Sequence, residues 1–179
     1  GGLLCRTNRF TDAIDAFRKS LAIKEDWNSY HGLGGALFKT EQYIEAIDAF
    51  RNSLAMKEDW DSYRGIGWSL FNTFQFIEAI DAFSKSVALK KDFNTYHGLG
   101  SALFKTNQVV EAIDAFNKSL SLKADWRAYQ SLGLALLRAK YYSEAVEAFQ
   151  SSLALKEDWD SYRGLGWALS KENLYTEAI

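Results

Sequence analysis

Residues 60–92 read WDSYRGIGWSLFNTFQFIEAIDAFSKSVALKKD, and the same pattern returns when the chain is shifted by 33 residues in either direction. Ala13, Ala46, Ala79, Ala112, Ala145 and Ala178 form one ladder at that spacing; Phe17, Phe50, Phe83, Phe116 and Phe149 form another. A repeat of this length marks an array in which each unit buries its apolar face against its neighbours. With Trp27 as unit position 1, the register gives a single array over 1–179. It has a partial unit at 1–26, complete units at 27–59, 60–92, 93–125 and 126–158, and a partial unit at 159–179. Gly1 falls at position 8 with Gly34, Gly67, Gly100, Gly133 and Gly166, so the leading glycines read as native. The chain is expected to be a piece of a longer array. Its irregular fourth unit (Arg127, Gln130, Ser131, Leu134, Tyr141, Tyr142) reads as natural rather than designed.

Each unit carries two helical patterns. Tyr63, Ile66, Gly67 and Leu70 recur at the spacing of one helix face, and Phe76, Ala79, Ile80, Phe83 and Val87 mark a second helix. A glycine inside a helix costs about 1 kcal/mol relative to alanine. Glycine at position 8 therefore implies a close approach by a neighbouring helix, with the Phe83 ladder filling the wedge. Asp26, Asp59, Asp92, Asp125 and Asp158 precede each first helix, where an N-cap acceptor belongs. Glu45, Glu78, Glu111 and Glu144 open the second helix, and Lys57, Lys90, Lys123 and Lys156 end it, the polarity a helix dipole favours. Short connections make neighbouring helices antiparallel.

Composition excludes several classes. The net charge of −2 gives no overall reason to expect nucleic acid or an acidic membrane. The single cysteine, Cys5, cannot form an internal disulfide, and no apolar run reaches the length of a membrane span. No export leader is visible, so a cytoplasmic setting is expected. Proline is absent, which suits unkinked helices.

These residues resemble the tetratricopeptide repeat family. Its helical-hairpin pattern has an aromatic at position 4, Leu-Gly at 7 and 8, Ala at 20, a large aromatic at 24 and a small residue at 27. Here Tyr30, Leu33, Gly34, Ala46, Phe50 and Ser53 stand at those positions, and the set recurs along the whole chain. The family's usual period is one residue longer. Its proline near position 32 is replaced by Glu58-Asp59, and its glycine near position 15 by Glu41, Phe74, Asn107 or Lys140. The resemblance implies an all-α, right-handed superhelical solenoid of antiparallel helix pairs. It also implies a concave groove lined by positions 2, 5, 9, 12 and 13 of the first helices. The related RNA-reading pentatricopeptide repeats have longer units and fit an acidic chain poorly.

Helical geometry agrees with that lining, because Asp61, Arg64, Trp68 and Phe71 or Asn72 fall on one stripe away from the packed face. Position 5 holds His31, Arg64, His97, Gln130 and Arg163; position 9 holds Gly35, Trp68, Ser101, Leu134 and Trp167. Position 13 holds Lys39, Asn72, Lys105, Arg138 and Lys171, and position 12 holds Phe38, Phe71, Phe104, Leu137 and Ser170. With Arg127 at position 2, the five positions carry seven bases against two acids, Asp61 and Asp160, a net of +5. The outer face must then be acidic. Arg64, Trp68, Arg163 and Trp167 are the expected anchors, since Arg and Trp concentrate binding energy at interfaces. Lys39, Lys105, Arg127 and Arg138 supply electrostatic support; Phe38, Phe71 and Phe104 supply apolar contact.

The expected work is protein–protein interaction: a scaffold holding a peptide or protein segment with acidic and apolar residues. The family's clamp for C-terminal carboxylates needs Lys at position 5 and Asn at 9, which this chain lacks. Two alternatives stand beside it, the substrate-recognition arm of a larger glycosyl- or sulfo-transferase, and end-to-end self-assembly through exposed array ends. No catalytic group, cofactor or metal is expected. His31 and His97 lie two units apart and read as surface polar groups. Cys5 has no partner for nucleophilic chemistry, and the glycines are mid-helix rather than in a phosphate loop.

Overall fold

The computed structural model describes residues 2–176 and the side chains of residues 9–172; within them all regular structure is α-helical. Gly1, Ala178 and the side chain of Cys5 lie outside the described residues. The chain forms two compact units, Gly1–Lys91 and Asp92–Ile179. The first contains α1 (Gly2–Ile23), α2 (Trp27–Lys39), α3 (Tyr43–Met56), α4 (Trp60–Asn72) and α5 (Phe76–Leu89). The second contains α6 (Phe93–Lys105), α7 (Val109–Leu122), α8 (Trp126–Arg138), α9 (Tyr142–Leu155) and α10 (Trp159–Thr176).

Local chemistry sets these boundaries. Asp26, Asp59, Asp92 and Asp125 sit in extended backbone and accept hydrogen bonds from the first-turn N–H groups of α2, α4, α6 and α8. Each such cap is worth about 1 kcal/mol. The first helices end in a left-handed residue: Glu41, Phe74, Asn107 and Lys140 have φ of 63°, 62°, 65° and 66°. The next residue's N–H then reaches back over the turn, Gln42 N to Leu37 O at 2.9 Å, and satisfies a terminal carbonyl. These are the positions where the family usually has glycine.

The half-units depart from the register. Where the complete units turn after position 13, α1 and α10 each run through as one helix.

Packing is antiparallel within each pair. The buried Ser53, near the end of α3, donates to the carbonyl of Trp27 at the start of α2 (3.0 Å), and Ser86 bonds Trp60 likewise (2.7 Å). In the second unit Ser119 bonds Phe93 (2.7 Å) and Ser152 bonds Trp126 (2.8 Å). Gly34, Gly67, Gly100 and Gly133 lie against the phenylalanine wedge as expected, a Cβ on Gly34 standing 2.8 Å from Phe50 and one on Gly133 2.8 Å from Phe149, whereas one on Gly166 would meet nothing within 4 Å. Position 6 completes the wedge from the next pair, where Gly65 meets Phe50 and Gly164 meets Phe149. The lysines that end the second helices stand at their C-caps, in extended backbone. Their ammonium groups lie over the position-1 rings, Lys57 on Trp27 at 3.8 Å and Lys156 on Trp126 at 3.9 Å. They clasp the two ends of a pair by cation–π attraction.

Candidate functional site

The site-bearing face in each unit is made by its first helices, and each unit stands by itself. In the first unit, His31 of α2 reaches forward to the start of α4. Its Nδ1 lies 2.9 Å from Ser62 Oγ, and its Nε2 lies 3.5 Å from the Asp61 carboxylate. Asp59 is 3.7 Å away, and the ring meets Phe50 edge-on at 5.7 Å. Hydrogen bonding to Asp61 holds the imidazolium above its ordinary pKa, against the opposing effect of burial. The same contact lowers the Asp61 carboxyl. Arg64 also pairs with Asp61, and its guanidinium lies 4.9 Å from the Trp60 ring centre. Trp68 is half-buried, edge-on to Phe71 (5.7 Å) and Phe83 (5.3 Å). Phe71 packs on Phe76, and Phe38 on Tyr43 with Lys39 beside it.

Two expectations change here. His31 and His97 are not surface polar groups; both are part-buried links between successive first helices. His97 Nε2 lies 3.2 Å from Ser131 Oγ of α8, and burial pushes its pKa down, with Asp125 opposing. Gln130, at the same unit position, donates to Asp158 (2.7 Å) and Ser161 (3.2 Å). At position 5, His31, His97 and Gln130 therefore join helices rather than standing free in a groove. The arginine anchors are also compensated: Arg64 by Asp61, and Arg163 by Asp160 at 2.5 Å. Arg163 lies over Trp159 (4.4 Å) and Trp167 (5.5 Å).

The second unit carries the clearest concavity on this face. A depression of about 480 Å³ is lined by Phe104, Leu134, Leu137, Arg138, Tyr142, Trp167 and Lys171. All but Tyr142 come from unit positions 9, 12 and 13. Its floor is apolar, Trp167 is 58% exposed, and two cations stand at its edge. Arg138 is held in place: it donates to the Phe104 carbonyl at 3.0 Å and lies 3.8 Å over the Phe104 ring. Lys105 and Arg127 are exposed, Arg127 lying 4.7 Å over Trp126. Tyr142 was not singled out from sequence because it opens a second helix; the signal for it was the aromatic run Tyr43, Phe76 and Tyr142 at position 17. Such a surface can hold an apolar side chain next to a carboxylate.

Among the described residues, no cluster of three or more His, Cys, Asp or Glu side chains is placed to hold a metal ion. Among them, too, no helix is long and apolar enough to cross a membrane.

The tetratricopeptide repeat family matches residues 93–125 and 127–158, two adjacent repeats. A crystal structure of MamA superposes with a TM-score of 0.74 at 25% identity, covering 94% of this chain and 91% of that one. A second MamA structure gives 0.75 at 28% identity, covering 82% of each chain. YrrB, described as a TPR protein with an unusual peptide-binding site, gives 0.74 at 21% identity, covering 96% of this chain and 88% of that one, and bears on the fold alone. The sequence has no significant match among curated proteins.

Proposed function

Because the chain is built of tetratricopeptide repeats, a fold that serves as a protein-interaction scaffold, we propose that it holds a partner polypeptide against its first helices in the 92–179 unit. The partner segment carries apolar and acidic side chains. The observation that supports this is the depression of Phe104, Leu134, Leu137, Tyr142 and Trp167 edged by Arg138 and Lys171. A large exposed Trp beside an Arg is the composition of an interface hot spot. Opposite charge at the rim speeds encounter and sets specificity. The remaining anchors rank below this group, since Arg64 is neutralised by Asp61 and Trp68 is packed on Phe71 and Phe83. The role is binding, not catalysis, and the proposed setting is the cytoplasm.

The test is capture from a lysate of the source cells on immobilised wild type, on a Trp167→Ala/Lys171→Ala variant, and on an Arg64→Ala/Trp68→Ala variant, all of matched helicity. The reading expects a partner retained by the wild type and by the second variant, and lost by the first. Equal capture by all three, or a loss confined to the Arg64/Trp68 variant, refutes this placement of the site.

A further inference from the structure

The opposite face of each unit is made by the second helices, whose exposed side carries an acid at unit positions 19 and 22. In each of α3, α5 and α7 at least one of these acids is answered locally, while among the described residues Glu78 and Glu111 are not. In the first unit Glu45 pairs with Arg18 (2.8 Å), Asp48 with Arg51 (3.9 Å) and Asp81 with Lys85 (2.7 Å). In the second unit Asp114 pairs with Lys118 (2.6 Å). Helix α9 breaks the pattern. Where Arg51 stands at position 25 and Lys85 and Lys118 at position 26, α9 has Gln150 and Ser151. Glu144 and Glu147 are exposed and have no ion-pair partner among the described residues.

These two carboxylates wall a groove. It runs over α8 between α7 and α9, has a volume of about 300 Å³, and is floored by Tyr129, Leu132 and Leu136, with Asn117 on its far side. The first unit has the equivalent groove over Tyr63, Ile66 and Leu70, about 390 Å³, but there Arg51 and Lys85 stand in the walls beside the acids. The same shape therefore occurs twice, once with its charge cancelled from within and once with its charge open.

We propose that the α7–α9 groove binds a basic, apolar segment of another protein: an apolar side chain on Tyr129, Leu132 and Leu136, flanked by a lysine or arginine between Glu144 and Glu147. Open negative charge beside an apolar floor is what such a segment complements, and an uncompensated carboxylate pair repels an acidic one. This surface is separate from the first-helix depression and takes a ligand of the opposite charge, so a single scaffold could bridge two partners.

The probe is an acetylated and amidated amphipathic peptide of leucine and lysine, titrated calorimetrically into the chain at low salt, with backbone amide NMR shifts to locate it. Controls are the same pattern with glutamate for lysine, and an all-lysine peptide. The wild type is expected to bind the leucine–lysine peptide with shifts on α7, α8 and α9, and neither control. Glu144→Gln/Glu147→Gln is expected to weaken binding about tenfold, the upper range for two exposed charge contacts. Asn117→Arg/Ser151→Lys, which sets bases where Arg51 and Lys85 stand in the first unit's groove, is expected to do the same. Arg138→Ala/Lys171→Ala leaves binding unchanged and so separates this groove from the other site. Undiminished binding by either groove variant, shifts spread along all the acidic helices, equal binding of the all-lysine peptide, or no binding at all overturns the proposal.

Discussion

Replacing Gly65 and Gly35 separately by alanine tests the wedge on which the stacking rests. Both glycines lie inside first helices of the 1–91 unit, and helix propensity alone predicts that each change stabilises by about 1 kcal/mol. Their surroundings differ. A Cβ on Gly35 meets nothing within 4 Å, whereas one on Gly65 stands 2.5 Å from the Phe50 ring, against 3.4–4 Å for ordinary contact. Phe50 is 4% exposed and cannot retreat, because Gly34 of α2 touches its other side, where an added Cβ would stand only 2.8 Å away. Overpacking of this kind costs about 1–3 kcal/mol. Gly35→Ala is therefore expected to stabilise by about 1 kcal/mol, and Gly65→Ala to lie about 1–3 kcal/mol below it. Urea unfolding followed by far-UV circular dichroism measures both. Adding Phe50→Leu to Gly65→Ala should recover part of the difference, since a smaller side chain gives the new methyl room. Equal shifts for Gly35→Ala and Gly65→Ala would mean that the wedge tolerates a side chain at position 6 and that the close approach is not what selects glycine there.

Glu41 holds a φ of 63°, so Glu41→Gly should raise the unfolding free energy from urea titration by about 1 kcal/mol, while Asn107→Gly should change little because asparagine tolerates that region. Ser119→Ala removes a buried bond to the Phe93 carbonyl and should cost about 1 kcal/mol in the same assay. The two histidines should respond to pH with opposite sign. The raised pKa of His31 gives stability that is full below its unfolded value near 6.5 and is lost as pH rises through the folded value. The lowered pKa of His97 gives stability present above about 6.5 and lost as pH falls through its folded value. Unfolding midpoints measured from about pH 8 to pH 5.5 should thus show His31→Gln losing an acid-side gain and His97→Gln losing an acid-side penalty; parallel curves would refute the assignment.

Much of the fold was legible because its determinants are local and repeat. Asp26, Asp59, Asp92 and Asp125 cap where the spacing put them, and Gly34, Gly67, Gly100 and Gly133 meet the phenylalanine ladder. The partial units differ from the complete ones, since α1 and α10 run on where the complete units turn. Ser53 and its equivalents were legible as small residues; their bonds to position-1 carbonyls were not, since the partner lies 26 residues away.

The candidate site was legible as a set of positions and much less as a set of roles. Spacing assigns a side chain to a face of its own helix, and on that basis His31, Arg64 and Arg163 looked like free groove ligands. Arg64 and Arg163 are paired within their own helices, by Asp61 and Asp160 three residues before them, whereas the partners of His31 are brought to it by the next first helix. The sequence by itself determined the helices, their pairing and the wedge that joins them, because 33-residue periodicity and capping chemistry are written in adjacent residues. The tertiary structure decided which apolar surfaces the open charges border. Arg138 and Lys171 edge a depression, and Glu144 and Glu147 face an apolar groove without a base beside them. Both outcomes depend on contacts between neighbouring helices, which a one-dimensional pattern does not carry.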